Sequence, residues 1–216
     1  MHFSRSLSII LGLLFFMPIG IRAQSATKLT SGSFGHMQAR SIGPAIMSGR
    51  ITCIDALQSN PHHLFIGTAS GGLWKSTNGG VIVKPVFDKH TLSMGAVAID
   101  QARPDTVWVG TGESKTRNSV SIGTGVYKST DGGEKWKLMG LENTERISRV
   151  IIHPEDPDIV YVAALGHLWG PNQERGVYKT EDGGLTWEKV LFVDENTGCS
   201  DLDICLLYTS DAADDL

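Results

Sequence analysis

The feature that most constrains this chain is that it repeats itself. Gly72-Leu-Trp-Lys-Ser-Thr-Asn-Gly-Gly80 returns as Gly125-Val-Tyr-Lys-Ser-Thr-Asp-Gly-Gly133 and again as Gly176-Val-Tyr-Lys-Thr-Glu-Asp-Gly-Gly184. A period of about 50 residues is the range of solenoids, propellers and arrays, in which one supersecondary unit buries its apolar face only against its neighbours.

Each copy sits in the same company. A β-rich run precedes it: Leu64-Phe-Ile-Gly-Thr68, Val107-Trp-Val-Gly-Thr111 and Val160-Tyr-Val-Ala-Ala164. Upstream lies another: Ile51-Thr-Cys-Ile-Asp55, Ala96-Val-Ala-Ile-Asp100 and Arg149-Val-Ile-Ile-His153. Pro61, Pro104 and Pro157 fall between the two runs as turn formers, and short segments at 81–87, 136–139 and 187–192 close each unit. Helical periodicity is absent. Glycine supports the same picture: 25 of 216 residues is about 12%, against a usual value of about 7%, and no collagen period accounts for it. Four short strands per unit predict an all-β fold, a β-propeller of three four-stranded blades at about 51–88, 95–140 and 148–192. Asp201-Leu-Asp-Ile204 reads as the first strand of a fourth blade near 200, making the chain a fragment of a larger propeller. A β-solenoid is the alternative, but its repeats are usually shorter.

The glycine pairs carry their own chemistry. Ser129-x-Asp131-x-Gly133-x-x-Trp136 and Thr180-x-Asp182-x-Gly184-x-x-Trp187 match the Asp-box pattern. In such a turn the carboxylate accepts from backbone N–H groups, the hydroxyl adds a local bond, glycine takes positive φ, and the indole packs beneath. Ser76-x-Asn78-x-Gly80 is a degenerate copy in which Val83 replaces the Trp. These residues read as structural.

The two ends depart from this logic. Residues 1–23 have Arg5, an apolar stretch from Leu7 to Ile21, and Ala23 where a signal peptidase would cut. This is the layout of a secretory signal, too short for a membrane anchor, which needs about 20 apolar residues. Export to the periplasm or the extracellular space is expected, with no membrane span after the signal is removed. Residues 24–50 read as a lead-in. Residues 205–216 resemble the translation of a sequencing-library adaptor rather than a native terminus. The chain is 41% hydrophobic, 19% charged and formally −4, which excludes a disordered chain, a multi-span membrane protein and a basic nucleic-acid binder. Cys53, Cys199 and Cys205 are too few and too scattered for a disulfide framework or a zinc site. No metal or cofactor is expected.

With these motifs in hand, the chain resembles the exported bacterial Asp-box (BNR) propellers grouped with the sortilin (VPS10) N-terminal domain. Arg40-Ser-Ile-Gly-Pro44, Ser48-Gly-Arg50 and Gly67-Thr-Ala-Ser-Gly-Gly-Leu-Trp-Lys-Ser76 look like their opening blade, and the likeness runs over about residues 34–204. Members are often labelled glycosyl hydrolases, a label that rests on the fold and does not carry function. The opening blade is also similar to that of xyloglucan-degrading glycoside hydrolases. There the resemblance implies a catalytic Asp just before a Gly-Gly pair, and this chain has Ala69 at that place. Two-carboxylate glycoside hydrolysis needs an acid on each side of the bond, which Ala69 cannot supply. Sialidases share Asp-boxes but need an arginine cluster for the substrate carboxylate.

Meander topology places the Asp-boxes, as loops between third and fourth strands, on one face. The loops between second and third strands lie on the other. Those loops differ in length: short at Ala69-Ser70, long at 112–124 and 165–175. Long polar loops on a rigid scaffold are where binding concentrates. The candidate ligand residues are therefore Arg50, Glu113, Arg117, Asn118, His167, Trp169, Asn172 and Arg175, with Trp169 suited to stacking on a sugar ring or an apolar side chain. Glu113 is the candidate acid, with Glu174 the only partner to pair with it. Two functions follow from different classes. One is a non-catalytic module that binds an extracytoplasmic protein or glycan. The other is a polysaccharide-active hydrolase whose carboxylates lie partly in further blades.

Overall fold

A computed structural model describes residues 50–205. The leader-like residues, most of the lead-in and residues 206–216 lie outside that range. Within it there are twelve strands in three antiparallel sheets of four. Blade one holds β1 (Ile51–Leu57), β2 (Asn60–Thr68), β3 (Leu73–Ser76) and β4 (Lys84–Pro85). Blade two holds β5 (Met94–Ile99), β6 (Val107–Thr111), β7 (Val126–Ser129) and β8 (Lys137–Leu138). Blade three holds β9 (Ile147–Ile152), β10 (Val160–Ala164), β11 (Gly176–Thr180) and β12 (Glu188–Leu191). In every sheet the strands pair in chain order, as a propeller blade requires. No helix among the described residues is long and apolar enough to cross a membrane.

Two details differ from the expectation. Pro61 lies inside β2, not in the turn before it, at an exposed end of the strand. Proline is tolerated there because no ladder bond needs its missing N–H. Pro104 and Pro157 do sit in turns or bends. Asp201-Leu-Asp-Ile204 forms no strand. It starts in the place of a fourth inner strand nonetheless. Ser148 Oγ donates to the Cys199 carbonyl at 2.7 Å, as Thr52 Oγ1 donates to that of Met94 at 2.8 Å.

The inner strands share a further repeat that the sequence does not announce. The register of β1 on β2 shifts between Ile51 and Cys53, that of β5 on β6 between Met94 and Ala96, and that of β9 on β10 between Ala163 and Ala164. This irregularity, at the same step in every blade, bends each inner strand and aims the residues before it.

Cohesion comes from alternation in the middle blade. Val97, Ile99, Val107 and Val109 pack toward blade one with Phe65, Leu73, Phe87 and Met94. Ala96, Ala98 and Trp108 pack the other way with Ile147, Val150, Val160 and Val162. Both faces of one sheet are therefore core, so β5 and β6 are buried at every position.

The Asp-box turns join the blades. In blade three, Asp182 Oδ1 accepts from the N–H groups of Leu185 and Thr186 and from Thr180 Oγ1. Thr180 Oγ1 in turn accepts from Gly184 N–H at 2.9 Å. Ser129 and Asp131 repeat the arrangement, and Ser76 with Asn78 keeps it through an amide oxygen. The indole N–H then reaches across. Trp136 donates to the Val86 carbonyl at 2.8 Å and Trp187 to that of Met139 at 2.7 Å, each in the preceding blade. A lysine of the preceding blade answers: Lys75 Nζ donates to the Gly132 carbonyl at 2.8 Å and Lys128 Nζ to that of Gly183 at 3.1 Å. Both lysines also lie over a ring of their own blade, Phe65 and Trp108. The second glycine of the turn seats against that ring. At Gly184, with φ 96°, a Cβ would come within 2.6 Å of Trp108, so both backbone and space demand glycine.

Three outcomes test this. Gly184→Ala should destabilise the protein by about 2 kcal/mol or more in urea unfolding, since overpacking adds to the positive-φ cost. Trp187→Phe should cost about 1–2 kcal/mol by leaving the Met139 carbonyl unpaired. The third concerns acid. Hydrogen bonds to Thr186 foremost hold the Asp182 carboxyl well below the usual carboxylate range, and the Lys135 N–H foremost lowers Asp131. A depressed folded pKa gives stability that is complete above the unfolded value of about 3.9 and is lost as pH falls through the folded one. An Asp131→Asn, Asp182→Asn double variant keeps the acceptors, as Asn78 does. It should show a shallower loss of melting temperature below about pH 4.

Candidate functional site

The face opposite the Asp-boxes is built by the loops after β2, β6 and β10 and by the links between blades. The β2–β3 loop is a tight turn, closed by Thr68 Oγ1 on the Gly72 carbonyl at 2.9 Å. Thr111 Oγ1 makes the same bond to Gly125 at 2.7 Å, but here thirteen residues lie between, so a loop is looped out over a closed neck. The neck has no spare room. Gly112, with φ 89°, would put a Cβ within 2.0 Å of the Glu145 carbonyl oxygen. Gly123 N–H donates to that same carbonyl at 2.7 Å. The 112–124 loop is thereby fastened to the link that enters blade three.

The candidate residues fall into three groups. Glu113 is 1% exposed and forms an ion pair with Arg50, while Arg117 Nε stands 3.4 Å from the same carboxylate oxygen. The two arginines are partly exposed and reach this acid from the lead-in and from within the loop. Glu174, the acid expected to pair with Glu113, accepts from the Tyr178 hydroxyl at 2.9 Å, and that contact, after burial, pushes the Tyr178 phenol upward. Asn172 and Arg175 form the second group. Both are buried, beneath the surface rather than on it. Arg175 donates to the carbonyls of Glu195, Leu165, His167 and Gly170 and so knots the 165–175 loop.

Asn118, His167 and Trp169 form the third group, and they share a cleft. Its volume is about 330 Å³, and Ser119, Val120, Ile122, Glu145, Arg146 and Leu168 complete its walls. Trp169 is 76% exposed, an indole held open to solvent at the rim. Glu145 carries φ 54° and ψ −37° after a short 3-10 turn, Glu142–Thr144. A non-glycine residue held there is strained. Its carboxylate meets His167 Nε2 at 3.4 Å.

Arg146 was not among the residues expected from sequence. It is 4% exposed, and its Nε and Nη2 donate to the carbonyls of Gly166 and His167, each at 2.8 Å. Burial, and then the charge of Arg175, lower its affinity for its proton. A signal for it existed. Arg50 and Arg146 each stand one residue before an inner strand, and each accepts the corresponding bond: Ala69 N–H on Arg50 O and Leu165 N–H on Arg146 O, both close to 3 Å. The repeat had placed them in register.

Cys53 is partly buried beside Gly67, and desolvation pushes its thiol up to about 11, away from nucleophilic reactivity at neutral pH. Among the described residues, no three His, Cys, Asp or Glu side chains gather to hold a metal.

No family model matches the chain. A protein of Neosartorya fischeri described as a "probable oligoxyloglucan-reducing end-specific xyloglucanase" is 26% identical over 132 residues, which is 56% of this chain and 14% of that protein. Among solved structures, an ancestral GH74 enzyme matches 70% of this chain and 20% of its own, with a TM-score of 0.52 and 22% identity. A GH74 enzyme of Niastella koreensis matches 65% of this chain and 21% of its own, with a TM-score of 0.48 and 27% identity. The chain thus spans about a seventh of the curated relative. The structural likeness is one of fold, a β-propeller arc, and it agrees with the three blades found here.

The ion-paired carboxylate yields a direct test. Glu113→Gln should cost about 2 kcal/mol, less than a wholly buried pair because both arginines reach solvent. It should also open the 112–124 loop to trypsin at Lys115 and Arg117 while the blades stay resistant, as read by limited proteolysis.

Proposed function

We propose that this chain is the glycan-binding part of an exported β-propeller, and that the cleft between the 112–124 and 165–175 loops receives the sugar. The observation that carries the reading is Trp169, a large aromatic face left 76% exposed at the mouth of a walled cleft. Its neighbours Asn118 and Ser119 supply amide and hydroxyl groups for sugar hydroxyls. An indole beside a few convergent polar groups is what a pyranose ring needs, with apolar C–H faces on one side and hydroxyls at its edge. The likeness to a protein named as a xyloglucanase supports a glycan over a protein ligand. The sortilin-like, Asp-box character of the blades and a removable leader complete the proposal of an extracytoplasmic module without catalytic duty.

Trp169→Ala is the direct test. In isothermal titration with a xyloglucan oligosaccharide it should weaken binding by about tenfold, the worth of one stacking contact, with the melting temperature unchanged. Binding that survives unaltered would remove the cleft from consideration.

A second reading, a glycoside hydrolase, draws on Glu145. It is an acid in the cleft wall, in a strained backbone conformation. The two-carboxylate route would need another acid across the bond, and Ala69 stands where the xyloglucan-degrading pattern implies one. If cleavage of xyloglucan is found and Glu145→Gln abolishes it while oligosaccharide binding persists, this reading replaces the first.

A further inference from the structure

Arg146 poses a question that stacking on Trp169 does not answer. Two of its guanidinium nitrogens are satisfied by loop carbonyls, while Nη1 has no hydrogen-bond partner among the described residues, in a side chain that lines the cleft. A buried cation with an unpaired donor is costly. Glu145, which meets His167, acts on Arg146 through space, while Glu174 pairs with the Tyr178 hydroxyl, Glu195 with the Gln173 amide, and Glu113 with Arg50 and Arg117, and none of them hydrogen-bonds Nη1. Arg175, a second buried arginine, in the 165–175 loop, is held by carbonyls, with Asp194 acting on it through space.

We infer that the cleft selects a sugar bearing a carboxylate, a hexuronic acid residue of a polysaccharide, with the carboxylate as the missing partner of Arg146 Nη1 and the ring against Trp169. The inference rests on the glycan-binding reading and narrows its ligand. A guanidinium fixed in orientation by two carbonyls presents its remaining N–H groups without further loss of side-chain freedom, and a bond between two charged groups is the strong kind. A neutral hydroxyl or ester carbonyl at the same place can accept from Nη1 but brings no charge, so discrimination comes from the charge-assisted part of the bond.

The experiment uses the whole chain and a matched pair of probes, a trigalacturonate and its methyl ester, titrated calorimetrically. The acid should bind at least about tenfold more tightly than the ester, and the difference should shrink as salt rises. Arg146→Gln should erase the preference, so that acid and ester bind alike, and Trp169→Ala should weaken both ligands while keeping the acid preferred. Equal affinity of the wild-type chain for acid and ester overturns the carboxylate inference and leaves the glycan reading standing. Failure to bind either probe or any neutral oligosaccharide overturns both. Should Arg146→Gln fail to fold, the wild-type comparison of acid with ester still decides.

Discussion

Among the described residues, the blades hang on one contact made twice: an Asp-box turn of one blade seated on an aromatic ring of the blade before it. A sheet of four short strands cannot bury enough surface by itself, and the last strands here are only two to four residues long. What holds such a sheet is its neighbour. Lys75 and Lys128 cap the rings of Phe65 and Trp108 and reach the glycine carbonyls of the next turn, while Trp136 and Trp187 reach back. The turn's internal hydrogen bonds make it rigid enough to be gripped. Removing the polar network would loosen the apolar seam between blades, because the same few residues build both.

That division of labour frees the opposite face. The Asp-box side is committed to cohesion, so its loops are short and alike. Opposite, only the loop necks are constrained: a threonine closes the first two, and Gly112 and Arg175 fit or clamp the long ones. Between the necks the chain can vary without cost to the core, and two long loops have grown there to wall a cleft. A repeated scaffold with unequal loops is the general condition under which one fold hosts many ligands.

How much of this was legible in the sequence follows from what repeats. The three blades, their strand order and the turn chemistry were readable because Gly-Gly, Trp and the hydroxyl–acid pair recur at fixed spacing. Pro61 misled by one strand boundary, since an exposed strand end tolerates proline as well as a turn does. At the candidate site, sequence singled out the two long loops but could not sort their residues by depth. Asn118, His167 and Trp169 reach the cleft, whereas Asn172 and Arg175 turn inward and Glu113 is locked between Arg50 and Arg117. Polar residues in a loop look alike until backbone carbonyls are in place to claim them. Arg146 and Glu145 were passed over because they lie in a link between blades, outside any long loop.

Ligand is proposed to meet the protein on the 112–124 and 165–175 side. Hydrogen exchange with and without saturating oligosaccharide tests it most directly. Protection should rise at 118–122, 145–146 and 167–169, while the Asp-box turns at 129–136 and 180–187 exchange at unchanged rates. Protection confined to the Asp-box turns, or absent from both long loops, would contradict it.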